Sequence, residues 1–460
     1  MSKPLLTGVV LCISVSLSAC GGDEASGAQP SDSGASVSTL QAAPSPAPTP
    51  TSTPTPASDP QVKEAGAFTS FDFQSGTAYP AMANIRIEDV QVPPGATEAF
   101  VPVVLDRATP NTVIARVKTR NGDGSNYAVQ GTDFGKVDTH VIFRPGDPLR
   151  QTVRVPLTSM RVGEHFDLYF PTTVNGAKAA DASGTITAVS GASASAPAKA
   201  SFRAPRKFKA TGTLSYTLDP ASMRWSDGGS ADSWSTKLAH GRTQTSNKET
   251  GLYLDPGLWP QAEAPFRIEN GELVIHSQEL KSLINYDGTY WKYGAAVLTG
   301  LRIPETHVRY GQYEWVARMP NRKGAWPALW LLGVNGWPPE IDVYEGFGYS
   351  GDWNFTTDIS GNIHGGPRND GTFDRPMRLN ARAVYKLDGF DTSYHSYAVD
   401  VQKDYITWFV DGIEVYQAAN PFHEEDWYPI MNVAVKTNAP YTEGSGDMRV
   451  RSFKVWNSGK

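Results

Sequence analysis

Cysteine is all but missing from this 460-residue sequence, and the two present, Cys12 and Cys20, both lie near the N-terminus. The rest of the chain therefore folds without disulfides and without thiolate metal sites. The apolar run from Leu5 to Leu17 falls short of the ~20 residues a membrane span needs. Charge is scarce too: Asp, Glu, Lys and Arg make up 19% of the residues, and the net charge is −6. That balance speaks against nucleic acid, or an anionic membrane surface, as an electrostatic partner. No tryptophan occurs before position 225. What is plentiful is Gly (43) and Pro (34), which suits many short strands joined by turns and argues against long amphipathic helices. An all-β chain of more than one domain is expected, since domains run to roughly 100–200 residues each.

Residues 1–19 have the layout of a secretion signal: Met1-Ser-Lys3, the apolar run, then the small residues Ser18 and Ala19. Leu17-Ser18-Ala19-Cys20 resembles a bacterial lipobox, which implies that Cys20 is lipidated and becomes the new N-terminus. Gly22, where an inner-membrane lipoprotein would have Asp, implies an outer-membrane or cell-surface location, with membrane contact through the lipid. A plain secreted protein with a free Cys20 thiol is the other reading. Residues 20–66 are rich in Ala, Ser, Pro and Thr, including Pro44-Ser-Pro-Ala-Pro-Thr-Pro50, and read as an extended tether.

Residues 67–189 change character. Phe100-Val-Pro-Val-Val-Leu105, Val113-Ile-Ala-Arg-Val117 and Val153-Arg-Val155 read as strands, with turns at Asn121-Gly-Asp-Gly124 and Pro145-Gly146-Asp147. The order Asn126-Tyr-Ala, Gly131-Thr-Asp-Phe134, Phe143-Arg-Pro-Gly146, Val153-Arg-Val-Pro156 and Glu164-His-Phe-Asp-Leu-Tyr169 resembles a Calx-beta domain. The resemblance implies a small β-sandwich serving as a spacer or carbohydrate-side accessory. Its acids Asp133, Glu164 and Asp167 are too scattered to mark a calcium site. Residues 190–206 are again Ala/Ser-rich and read as a second linker. Residues 207–460 hold all 12 tryptophans. Some suggest a cleft on which sugar rings stack, while Trp315, Trp408 and Trp456 sit in strand-like runs and read as core.

The densest chemistry lies in Trp337-Pro-Pro-Glu-Ile-Asp-Val-Tyr-Glu345. In a strand Glu340 and Asp342 share one face and Ile341 and Val343 the other. Regular alternation would then send Glu345 into the core, where an unpaired carboxylate is costly. A β-bulge, with Tyr344 as the extra residue, would return it to the face of the other two. Three carboxylates on one groove suit retaining glycoside hydrolysis, with one acting as nucleophile and one as acid/base. The middle acid would hydrogen-bond the first and help hold the proton on the last. A solvated acidic strand or a calcium loop fits the three acids as well.

The flanks point one way. Gly324-Ala-Trp-Pro-Ala-Leu-Trp-Leu-Leu332 followed by Trp337 to Glu345 resembles glycoside hydrolase family 16 in its E-x-D-x-x-E form. Further matches are Tyr310-Gly-Gln-Tyr-Glu314, Tyr394-His-Ser-Tyr-Ala-Val399, Ile406-Thr-Trp-Phe-Val-Asp-Gly412, Asn432-Val-Ala-Val435, and Asn247-Lys-Glu249 with Tyr253. The resemblance implies a β-jelly-roll sandwich over 207–460, with Glu340 as nucleophile, Asp342 as assisting acid and Glu345 as general acid/base. It implies further that Trp326 and Trp337 stack sugars, that Asn247 and Glu249 bind hydroxyls, and that His364 contacts the sugar or the acid/base. His395 reads as structural.

The sequence departs from the family at Asp400-Val401, at Lys436-Thr-Asn, where a Gly-Gly ending is usual, and in the last strand. The last of these makes a structural calcium doubtful, so neither metal nor cofactor is expected. The implied activity is endo-cleavage of a β-1,3 or β-1,3-1,4 glucan, or of a bacterial exopolysaccharide, by a monomer. A transglycosylase remodelling surface polysaccharide and a non-catalytic carbohydrate-binding lipoprotein are the alternatives.

Overall fold

A computed structural model describes residues 82–197, 201–227, 232–365, 373–374 and 377–459. The leader 1–19, Cys20 and the segment 20–66 lie outside the described residues. Among the described residues the chain is almost entirely β, with a single five-residue α-helix at Ala381–Tyr385.

The first set of strands forms two antiparallel-rich sheets. One has the order Arg150–Pro156, Glu98–Leu105, Ala83–Ile87, Ala177–Asp181. The other runs Val90–Val92, Ser183–Ala188, His165–Tyr169, Val113–Asn121, Asp138–Phe143. Alternate residues of each strand, such as Val101, Val103, Val113, Ala115 and Val117, meet in one apolar core. Period-two patterning with Val and Ile on the inner face dictates this packing. Phe134 and Phe166 stack inside it with ring centroids 3.8 Å apart.

The second set forms the larger sandwich. One sheet runs from Phe266–Glu269 through Glu272–His276, Asp447–Asn457, Gly311–Arg318, His395–Val401 and Tyr405–Val410 to Ile413–Ala419. The facing sheet holds, in order, Thr289–Thr299, Trp427–Val435, Ala325–Gly333, Glu340–Glu345 and Asp358–Gly365, with Met377–Asn380 on its far edge. Both sheets feed one core that includes Trp234, Trp315, Trp408 and Trp427. Trp315 and Trp408 are buried as expected, whereas Trp456 is only half-buried. The turn at Asp411-Gly412 has φ of 49° and 70°, the left-handed pair a two-residue hairpin requires. His395 sits beside it with Nδ1 2.7 Å from Asp411 Oδ2, a structural contact.

The two sandwiches touch. The strand Ile413–Ala419 ends its sheet, and its outer edge bonds to other parts of the chain. Thr112 N–H donates to Gln417 O at 2.8 Å, Ala419 N–H to Asn111 Oδ1 at 3.2 Å, and Glu414 N–H to Arg206 O at 3.0 Å. Glu414, 1% exposed, accepts both guanidinium nitrogens of Arg203 at 2.7 Å and Arg206 Nε at 3.0 Å. Burial pushes this carboxyl up, but the Arg203 hydrogen bonds, the Arg206 N–H and the two guanidinium charges outweigh it and hold Glu414 down at about 2. The end of the expected linker is therefore fixed to the larger sandwich.

Candidate active site

The strand Glu340–Glu345 carries the three acids, and its register slips against both neighbours. Against Ala325–Gly333, Asp342 faces Trp330 and Tyr344 faces Leu329, so Val343 has no partner. Against Asp358–Gly365, Asp342 faces Asn362 and Glu345 faces Ser360, so two residues oppose Gly361 alone. This is a β-bulge. By the first register the extra residue is Val343, one position earlier than expected. The reason is packing: Ile341, Val343 and Tyr344 all belong to the core, and Tyr344 meets Tyr397 edge-on at 5.0 Å. Two consecutive side chains enter the core, and the phase is restored for Glu345.

The Asp342 carbonyl stands at the edge of this bulge. Trp408 in the facing sheet donates to it, its indole N–H lying 2.7 Å from Asp342 O. A Cβ on Gly361 would stand 3.0 Å from that oxygen and 3.2 Å from the indole nitrogen, so glycine keeps the space open.

On the cleft side Glu340 and Asp342 bring carboxylate oxygens within 4.8 Å of one another. Burial pushes Glu340 well above the ordinary carboxylate range, and the Asp342 charge pushes the same way. Burial and the Glu345 charge bring Asp342 up to about 6, against the pull of His364. Like charges this close resist ionising together, and the titration belongs to the pair. Glu345 rises to about 7 through burial; Glu340 adds to the rise, and His364, the Trp326 N–H and Lys436 oppose it. An acid with that value is part-protonated at neutral pH, as a general acid must be.

His364 lies on the neighbouring strand with Nε2 3.2 Å from Asp342 Oδ2 and 3.0 Å from Asn362 Nδ2. Glu340, Asp342 and His364 bring donor atoms within 4.8 Å of one another, so these residues could also hold a cation. Trp337 is 56% exposed and opposes the rise of Glu340, leaving ring surface open to the cleft. Trp326 is more committed. Its indole N–H donates to Glu345 Oε1 at 3.1 Å, and the Lys436 ammonium sits 5.1 Å from its ring centroid. Glu249 is buried, accepts the Tyr253 hydroxyl at 2.9 Å, and rises by burial to about 7. Asn247 is exposed on the short turn Thr245–Asn247 just before it.

Sequence reasoning assigned no role at the site to Trp408, Tyr349 or Lys436. Tyr349 packs edge-on against Trp326 at 5.2 Å and lies 4.2 Å under the Lys436 ammonium. Lys436 stood out only as a departure from the expected Gly-Gly ending, and no local pattern marks Trp408.

Residues 266–449 match the family model described as glycosyl hydrolases family 16. The chain is 30% identical over 256 residues to Endo-1,3-1,4-beta-glycanase EglC of Rhizobium meliloti (strain 1021), a match covering 53% of this chain and 52% of that protein. It is 28% identical over 232 residues to Glucan endo-1,3-beta-glucosidase A1 of Niallia circulans, covering 43% and 32%. The chain spans about half or less of the length of these relatives. Among solved structures, the laminarinase catalytic domain from Thermotoga maritima MSB8 aligns at 22% identity with a TM-score of 0.43, covering 54% of this chain and 99% of that one. The sandwich that carries the acid strand holds the residues, 266–449, that match the glycosyl hydrolases family 16 model.

Proposed function

We propose that this chain is a retaining, endo-acting β-glycan hydrolase. The observation that carries the reading is the bulge at Val343–Tyr344, which returns Glu345 to the face of Glu340 and Asp342. Glu340 attacks the anomeric carbon and forms a glycosyl ester while the bond to the leaving sugar breaks. Glu345 gives its proton to the leaving oxygen. Its carboxylate then takes a proton from water, the water oxygen attacks the anomeric carbon, and Glu340 is released. A proton on Asp342 during attack steadies the Glu340 carboxylate. Trp337 offers a stacking face to the sugar beside Glu340, and Glu249 and Asn247 bind hydroxyls on the Lys436 side of the cut. His364 steadies Asp342.

The substrate is a β-1,3 or mixed β-1,3-1,4 glucan, or a bacterial exopolysaccharide with such linkages. The relatives' names support this class, being an endo-1,3-1,4-beta-glycanase and a glucan endo-1,3-beta-glucosidase. Residues 67–189 act as a Calx-beta-like accessory domain beside a catalytic domain over 207–460. A lipid on Cys20, after removal of residues 1–19, holds the monomer at the outer membrane, with residues 20–66 as a tether. The reading invokes no metal, cofactor or nucleic acid.

The test is incubation with a panel of these glucans and galactans, following reducing ends and the anomer first released. Release of the β-anomer from internal cuts, abolished in Glu340→Gln while polysaccharide binding persists, is the expected result. First release of the α-anomer, or turnover by Glu340→Gln, would overturn it.

A further inference from the structure

One cation at the site has no part in the chemistry just described. Lys436 follows the strand Trp427–Val435, and its backbone N–H donates to Gly324 O at 2.9 Å. Its main chain is thereby anchored beside the start of the strand that carries Trp326. The ammonium lies 4.2 Å from the Tyr349 ring centroid and 5.1 Å from that of Trp326. Ring faces hold a cation by their quadrupole, most strongly when water is partly excluded. The two rings meet edge-on at 5.2 Å, and the Trp326 indole N–H points to Glu345 Oε1 at 3.1 Å. Ammonium, two rings and carboxyl therefore form one connected series.

We propose that Lys436 is a positioning residue: clamped between Tyr349 and Trp326, its ammonium fixes the indole against Glu345 and so sets how tightly that carboxyl keeps its proton. The proposal rests on the hydrolase reading, in which Glu345 is the acid/base.

The groups that face Glu345 are Glu340 and Asp342 from its own strand, His364 from one neighbour and Trp326 from the other. Tyr349 comes from the following loop and Lys436 from the strand end. Behind Lys436 stand Glu249 and Lys248, and Arg378 acts on Tyr349. The lysine charge and the indole N–H both favour ionised Glu345. Removing the ammonium weakens both, so the carboxyl holds its proton to higher pH.

The experiment compares kcat/KM against pH for the full chain, Lys436→Met, Lys436→Arg and Tyr349→Leu, on a soluble β-glucan that the parent protein cuts. In Lys436→Met the alkaline limb should move up by about half a pH unit or more, with the acid limb in place. Lys436→Arg should restore the parent limb. Tyr349→Leu, at a partly exposed position, removes one ring of the clamp and should move the limb the same way. This second variant decides the matter if Lys436→Met does not fold. A lower rate with an unmoved or lowered alkaline limb in the folded variants would overturn the proposal and leave Lys436 a packing residue. A parent protein that cuts no β-glycan would instead defeat the hydrolase reading.

Discussion

Trp408 and Asp342 lie in facing sheets, yet the indole of the first donates to the backbone carbonyl of the second. Trp408→Phe keeps most of the apolar volume and leaves the Asp342 carbonyl without this donor. An unsatisfied buried acceptor costs about 1–3 kcal/mol, and a displaced Asp342 would lower kcat by up to about 100-fold. Thermal denaturation alongside steady-state kinetics should show both losses. A variant with unchanged kcat would mean the bulge holds its shape without the indole.

Glu340 and Glu345 should respond differently to amide substitution. Glu340→Gln removes the nucleophile and should abolish turnover of every substrate. Glu345→Gln removes the proton donor, which is worth about 10²–10⁴-fold on a polymer whose leaving group is a sugar. Aryl glycosides with good leaving groups need little protonation in the first step, so their kcat/KM should be affected far less. Initial rates on both substrate types check this; equal losses in the two variants would merge the roles.

His364 works against the rise of all three acids. Without it Glu340, Asp342 and Glu345 all hold protons to higher pH. His364→Ala should therefore displace the whole kcat/KM profile upward: the acid limb because the Glu340–Asp342 pair ionises later, the alkaline limb because Glu345 does too. A shift in the alkaline limb alone would place His364 on Glu345 rather than on the pair.

Glu414 ties stability to pH. Its carboxyl is depressed to about 2 by the two arginines despite burial, against roughly 4.3 in an unfolded chain. A depressed acid stabilises the fold above the unfolded value, and that contribution fades as pH falls through the folded one. Glu414→Gln should lower the unfolding free energy by about 2–4 kcal/mol at neutral pH. The gap between parent and variant should narrow from about pH 4.5 down to about pH 2. Denaturant titrations across that range measure it, and a gap that stays constant would contradict the assignment.

Much of this was legible because a strand's two-residue period turns a sequence into two faces. Glu340, Asp342 and Glu345 could be placed on one face, and the need for a bulge followed from the odd spacing. The extra residue could not be placed, because Val343 and Tyr344 are both apolar enough to enter the core and only the partner strands decide which stays in register. Lys436 could not be assigned to Glu345, because the two meet through Trp326, and the three residues lie on separate strands or their ends. The fixing of Arg203 and Arg206 was equally hidden. The Ala/Ser-rich stretch before them reads as a tether, and Glu414, which holds them, is 208 residues beyond Arg206.

The outer strand Ile413–Ala419 offers a final consequence. A terminal strand with bare amides is a template on which another copy of the same chain adds itself, the first step toward fibres and swapped assemblies. Here the loop 110–112 and the backbone at Arg206 bond to that border from within the molecule. The smaller sandwich therefore acts as a built-in guard against self-templating, a service that does not depend on its ever touching a sugar.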